Sequence, residues 1–188
     1  MAAPVGPLLA PVLLTQPHRA VIWEGDAAAA AQQGPQRGYD GAWHRCDRPV
    51  VLAVKTADCV PVLAWDADLN AMAALHAGWR GVAMGILPNL LQRWRRLGSS
   101  LCGVQLFFGP SIQPCCFEVQ ADCLGRFAPE WLDDAVTTRD GSHWLNLERV
   151  LHLQAAQAGV LPSQIQSLDL CTRCHQDPSG QFPYASYR

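Results

Sequence analysis

Two segments of the 188-residue chain carry side chains able to hold a metal ion. Thr56-Ala57-Asp58-Cys59-Val60-Pro61-Val62 sets a carboxylate and a thiol at the start of an apolar run. His76-Ala77-Gly78-Trp79-Arg80-Gly81 follows, its imidazole seventeen residues after the thiol. A thiolate and an imidazole at strand ends, joined by a third nitrogen, make a zinc site with one open position, the catalytic arrangement of that metal. Each residue alone has a blander account: free cysteine is commonly a small buried hydrophobe, and a histidine can simply cap a strand. Asp58 weighs against plain packing, because a carboxylate in the core needs a partner. Gly78-Trp79-Arg80-Gly81 is an amide-rich turn feeding a helix, where backbone N–H groups attract anions and the Arg80 fork can grip phosphate or carboxylate. His18, in Thr15-Gln16-Pro17-His18-Arg19, reads by itself as a surface histidine.

Short β-branched or apolar runs at 50–54, 60–65, 71–75, 104–108 and 165–168 predict the strands that position these groups. Val82, Ile86, Leu90 and Trp94 recur at helical spacing over 81–97, with Gly98 as a stop and a kink or restart at Pro88. Residues 117–127 and 147–158 predict two more helices, the second opened by Asn146 and closed by Gly159. The Ala-, Gln- and Gly-rich stretch 27–38 predicts a loop. Several strands follow one another directly, so the pattern predicts an α/β fold of mixed-sheet layered-sandwich (αββα) type, a single domain over 1–188.

A net charge of −2 and a pI of about 6.3 give no basic surface for nucleic acid or anionic membranes. Arg93-Trp94-Arg95-Arg96 reads as cations at a helix C-terminus, where they favour the dipole. No apolar run approaches the roughly 20 residues that span a bilayer. Residues 1–14 lack a positively charged n-region, so no signal peptide is expected and the protein is placed in the cytoplasm. Eight cysteines in such a chain are expected to be thiols or metal ligands rather than a disulfide framework. The vicinal pair Cys115-Cys116 also suits disulfide geometry poorly.

The blocks Thr56 to Val62 and His76 to Gly81 resemble the two most specific motifs of the YfiH family, also called the laccase-domain or multicopper polyphenol oxidase-like family and described as purine nucleoside phosphorylases. Gly109-Pro110-Ser111-Ile112 through Cys116-Phe117-Glu118-Val119 is similar to its Gly-Pro-x-Ile to (Phe/Tyr)-Glu-Val block. Tyr39-Asp40-Gly41 resembles its Ala-Asp-Gly, and Cys171-Thr172 with Ser186-Tyr187-Arg188 its closing Cys-Thr and Ser-Tyr-Arg. The resemblance runs over about 12–188. It implies zinc held by His18, Cys59 and His76, with copper as the other metal such donors accept. It implies phosphorolysis of adenosine, inosine and 5′-methylthioadenosine, with adenosine deamination also attributed to the family. The small-molecule partners would be purine nucleosides and phosphate. Arg80, Gly81 and Ser111 would then cradle the anion, and Asp58, Arg80 and Glu118 are the candidates for catalysis. The family carries some tens of residues before its Gln-x-His-Gly segment, including a Thr-Arg-x-Gly-Gly motif absent here; Arg19 replaces the glycine after the histidine, and the chain ends at Arg188.

Three alternatives stay open. Cys59 and His76 can form a metal-free nucleophile and base in an amidase- or deamidase-type hydrolase, a class that includes peptidoglycan-precursor editing. Shortened ends can leave a non-catalytic, metal-binding remnant. Cys171-Thr172-Arg173-Cys174-His175 matches the c-type haem attachment pattern, yet the methionines (Met1, Met72, Met84) offer no evident axial ligand. The same stretch can supply Cys171, Cys174 and His175 to a second zinc, for which no fourth ligand is evident; a turn bearing thiols is the plainer account. A multicopper oxidase centre is not expected, because His18, His44, His76, His143, His152 and His175 form no His-x-His pair.

Overall fold

The computed structural model describes residues 10–25 and 27–188. In chain order the elements are β1 (Ile22–Trp23), α1 (Ala27–Gln33), β2 (Gly41–Arg45), β3 (Val60–Asp66), β4 (Ala71–Ala77), α2 (Trp79–Ala83) and α3 (Ile86–Arg96). There follow β5 (Val104–Phe108), β6 (Glu118–Val119), α4 (Ala121–Leu124), α5 (Pro129–Ala135), β7 (Val136–Arg139), β8 (Ser142–Leu145), α6 (Leu147–Gln157) and β9 (Ile165–Ser167). Among the described residues a mixed sheet runs β1-β2-β4-β3-β5-β9, parallel at its two outer pairs and antiparallel within. A small antiparallel sheet runs β6-β8-β7. The mixed sheet with its helices is the α/β arrangement expected. No helix among the described residues is long and apolar enough to cross a membrane.

Strand alternation sends Val60, Val62 and Ala64 inward and leaves Leu63 and Trp65 exposed. Helix α3 answers with one buried stripe, Ile86, Leu87, Leu90, Leu91 and Trp94, at the period of a helix. Its cationic end, Arg93, Arg95 and Arg96, lies in the last turn as expected. Helix α6 packs beside it, capped by Asn146, whose side chain accepts from the Arg149 N–H at 2.9 Å. Gln154 of α6 is buried and donates to the Val82 carbonyl, tying α6 to α2. A satellite core gathers Val12, Leu14, Trp23, Ala30 and Ala42.

Several elements depart from the sequence reading. The 27–38 stretch is not a loop: its Ala-Gln run forms α1, stopped by Gly34 at φ +81°. Residues 50–54 form no strand; Leu52 makes a single bridge with Val12, and the run packs against the satellite core instead. The helix over 81–97 is two helices. Gly85 at φ +76° breaks it, and α3 restarts ahead of Pro88, which sits in the first turn where its missing N–H has no partner to lose. The helix over 117–127 shrinks to α4, because Glu118 and Val119 pair with β8. The β7–β8 hairpin turns on Asp140 and Gly141, both left-handed, the two-residue turn that suits strand twist.

Antiparallel pairing of β3 and β4 sets the start of one beside the end of the other, with Pro61 opposite His76. Pairing of β2 with β4 sets Gly41 opposite Leu75, which draws Asp40 to the same edge. Replacing Leu90 by Ala removes the middle of the α3 stripe and is expected to cost about 3 kcal/mol, inside the usual range for a buried leucine. A thermal melt should then fall by roughly 6–12 °C for a domain of this size, while Arg93→Ala, which removes an exposed pair with Glu24, should shift it little.

Candidate metal centre

Cys59 immediately precedes β3 and His76 lies near the end of β4, so the register described above brings them together. His18 joins them from the N-terminal segment. One ligand atom each from His18, Cys59 and His76 lies within 4.8 Å of the others. The two imidazoles meet edge to face, their centroids 4.7 Å apart and their planes at 82°. Gly78 makes the convergence sterically possible. A Cβ there would lie 2.9 Å from the Cys59 sulfur and 3.1 Å from His18 Cδ2.

Asp40, fully buried, holds two of the three donors in place. Its Oδ1 accepts from His76 Nδ1 at 3.0 Å and from the His18 N–H at 2.8 Å, and its Oδ2 accepts from the Arg19 N–H at 2.6 Å. With Nδ1 committed to the carboxylate, Nε2 is the His76 atom left to bind a cation; metal-ligating histidines commonly give their other ring N–H to a carboxylate in this way. His18 itself adopts a left-handed backbone, φ +60°, and Asp58 another, φ +83°. Such conformations cost a non-glycine residue on the order of 1 kcal/mol and gather at functional sites. Asp58 is held in its conformation from the far end of the chain: Oδ1 accepts from Thr172 Oγ1 and Oδ2 from the Tyr187 N–H, each at 2.8 Å.

The electrostatics favour a cation. Burial, with Asp58 and Asp40 adding to it, pushes the Cys59 thiol up to about 11. Burial lowers the His76 pKa, against the opposing pull of its bond to Asp40. A protonated thiol beside a neutral imidazole is not an activated nucleophile. A divalent ion would supply the missing positive charge and convert a coordinating thiol to thiolate. The donor set, two nitrogens and one sulfur, suits zinc and leaves room for a fourth ligand.

The remaining candidates scatter. Arg80 is exposed and lies over its neighbour Trp79, 4.3 Å from the ring centroid. Trp79, Phe117, Glu118, Asp122 and Arg188 line a cleft of about 300 Å³, and Arg80 and Arg188 both exert their charge on Cys123 at its wall. Gly81 is buried, and a Cβ there would meet the Arg19 carbonyl oxygen at 2.7 Å, so its role is close packing of helix α2 under the His18 segment. Ser111 is not brought to the cleft: it is fully buried and its hydroxyl donates to Glu148 at 2.7 Å. Two residues that the spacing of metal-capable groups does not single out, Asp40 and Arg188, belong to this region. Asp40 precedes the glycine that opens β2, a position that reads as a turn; Arg188 lies at the end of the chain.

The family model for multi-copper polyphenol oxidoreductase laccases matches residues 5–186. A purine nucleoside phosphorylase of Bacteroides thetaiotaomicron is 32% identical over 90% of this chain and 65% of its own length. Adenosine deaminase RL5, from an unknown prokaryotic organism, is 32% identical over 76% of this chain and 56% of its own. Thus the chain spans less than two thirds of either relative. The crystal structure of the hypothetical protein YfiH of Bacillus licheniformis superposes with a TM-score of 0.82 at 30% identity, covering 94% of this chain and 68% of that one.

Asp40→Asn removes the charge behind His76 and should weaken zinc binding at the triad by roughly 10–100-fold, read by chelator competition while following the His76 imidazole resonances. Retained affinity would show that the carboxylate does not support the site. Metal binding must also expel the Cys59 proton. With that thiol near 11 and His76 below its usual 6.5 and so already neutral, apparent affinity at the triad should rise about tenfold per pH unit between roughly pH 7 and 9, and fall equally as pH drops. A flat profile would remove Cys59 from the ligand set.

Proposed function

Since the chain belongs to the multi-copper polyphenol oxidoreductase laccase family, we propose that it is a zinc-dependent purine nucleoside phosphorylase acting on adenosine, inosine and 5′-methylthioadenosine. The observation that carries this reading is the convergence of His18, Cys59 and His76 within 4.8 Å; Trp79, three residues after His76 in the chain, lines a separate cleft with aromatic and cationic walls. The name of the Bacteroides relative supports the substrate class. His18, Cys59 and His76 would hold the zinc, and copper fits the same donors. Bound there, the metal supplies a Lewis acid with an open position.

In phosphorolysis a phosphate oxygen bonds to the anomeric carbon while the bond from that carbon to the purine breaks. The bonding electrons leave on the purine, which takes up a proton. Arg80 and Arg188 offer the charge that attracts and orients phosphate at this cleft. Trp79 and Phe117 offer flat faces for the purine. Both Asp58 oxygens already accept hydrogen bonds, so Glu118, at the cleft wall, is the carboxylate assigned to the proton. Asp58 is instead assigned to setting the backbone that presents Cys59. Adenosine deamination is a second activity of the same centre, favoured by the name of the RL5 relative. The metal-free hydrolase is disfavoured by the raised Cys59 thiol.

Zinc-loaded protein given inosine should release hypoxanthine only when phosphate is present, and Cys59→Ala should abolish the release. Arg80→Ala should raise the phosphate KM at least about tenfold, equivalent to roughly 1.4 kcal/mol. Purine release that ignores phosphate would point to hydrolysis, and none under any condition would leave a metal-binding protein without this catalysis.

A further inference from the structure

Outside this centre the chain folds a second group of metal-capable side chains. The Sγ atoms of Cys115, Cys116, Cys171 and Cys174 all lie within 4.8 Å of one another. All four are free thiols. We propose that they form a tetrathiolate site for a structural zinc ion, which clamps the C-terminal segment against the loop after β5. At a zinc–sulfur distance of about 2.3 Å a regular tetrahedron holds its sulfurs about 3.8 Å apart. The Cys115 and Cys174 sulfurs are 3.5 Å apart, and no pair among the four is separated by more than 4.8 Å, about 1 Å beyond the tetrahedral value.

The backbone around the cluster is already organised for such a site. Cys171 and Cys174 have the two-residue spacing of a metal knuckle, and their turn is closed by the His175 N–H donating to the Cys171 carbonyl at 3.0 Å. The Gln113 N–H donates to the Cys171 sulfur at 3.5 Å, a contact that favours thiolate. The two cysteine-bearing strands of chain are laced together by a bridge between Ser111 and Cys171, with the Thr172 N–H donating to the Ser111 carbonyl and the Ser111 N–H to that of Leu170. The third and fourth ligands of the proposed site are thus the vicinal pair, brought from 55 or more residues away in the sequence. His175 is not needed; it lies against Tyr184 at 5.8 Å. Cys115 and Cys174 are exposed, which gives the ion an entry path. Binding would release the thiol protons to solvent, with no change of oxidation state.

The clamp has a structural consequence. Thr172 and Tyr187, which grip Asp58, and Arg188, whose guanidinium sits 5.4 Å over Phe117, all belong to the segment that the cluster would pin.

The test uses the full chain in a Cys59→Ser background, which disables the triad and leaves the cluster untouched. This variant is expected to bind one equivalent of zinc where the wild type binds two. Reconstituted with cobalt(II), it should show the intense thiolate charge-transfer and tetrahedral ligand-field bands of four-sulfur coordination. Adding Cys171→Ser and Cys174→Ser to that background should abolish those bands and speed proteolysis of the C-terminal segment by tenfold or more, whereas the same pair of substitutions in the wild type should leave one ion bound, at the triad. Proteolysis rates in the Cys59→Ser protein with and without zinc give the same comparison without altering the cluster. A Cys59→Ser protein that binds no metal, or whose cluster is recovered as a disulfide after anaerobic purification, overturns the proposal; wild type retaining only the cluster ion would instead count against the triad.

Discussion

One buried carboxylate sets the geometry on which the candidate centre depends. Asp40 has no exposure, and among the described residues no guanidinium or ammonium group pairs with it, so its charge is met by directed N–H bonds. It takes three: from the His18 and Arg19 amides and from His76 Nδ1. A carboxylate left in that position without them would cost several kcal/mol. Each bond therefore fixes something the site needs. The amide bonds hold His18 in its left-handed turn, and the ring bond fixes which nitrogen of His76 faces the cation. The main chain of Asp40 is fastened too, its N–H to Val21 and its carbonyl to the His76 N–H, so the carboxylate moves with the sheet.

This arrangement explains why the donors come from three separate stretches of chain rather than one compact motif. Adjacent antiparallel strands supply Cys59 and His76 through register, and β2 supplies Asp40 through its pairing with the same central strand. His18 lies in no strand and is positioned through Asp40 and the close approach of Arg19 to Gly81. The cost of the design is a buried, negatively surrounded thiol: burial first, with Asp58 and Asp40 adding to it, pushes Cys59 to about 11. Replacing either carboxylate by an apolar group would leave the donors it satisfies unpaired, and a cation held by the triad would meet the charge the two carboxylates bring.

The parts of this that the sequence discloses are those governed by local rules. The strands at 60–66 and 104–108 read off as β-branched and aromatic runs, and the helix capped by Asn146 reads off from its cap and its closing Gly159. Cys59 and His76 were legible because a metal-capable residue beside an apolar run is chemically conspicuous. Asp40 stood out only within its Asp-Gly motif and with no role attached, because an aspartate before glycine looks like any turn until β2 is known to pair with β4. Ser111, expected to help cradle the anion, instead has its hydroxyl held inside the core by Glu148 of α6, a contact that no local pattern discloses. The helix expected over 117–127 failed because strand pairing with β8, invisible from local propensity, competes for Glu118 and Val119.

The C-terminal segment shows how the second group of cysteines bears on the first centre. The path is short and continuous. Ser111 and Cys171 bridge the loop and the segment; Thr172, the next residue, donates to Asp58; Asp58 precedes Cys59. A left-handed Asp58 is unfavourable on its own and persists because Thr172 and Tyr187 hold both of its oxygens. Whatever secures the Cys171–Arg188 stretch therefore also secures the angle at which Cys59 presents its sulfur. The segment has little apolar burial of its own beyond Cys171, with Phe182 and Tyr187 both exposed, so packing alone gives it a weak hold. A cation shared by Cys115, Cys116, Cys171 and Cys174 would provide the missing hold at the base of the segment, next to the residues that grip Asp58.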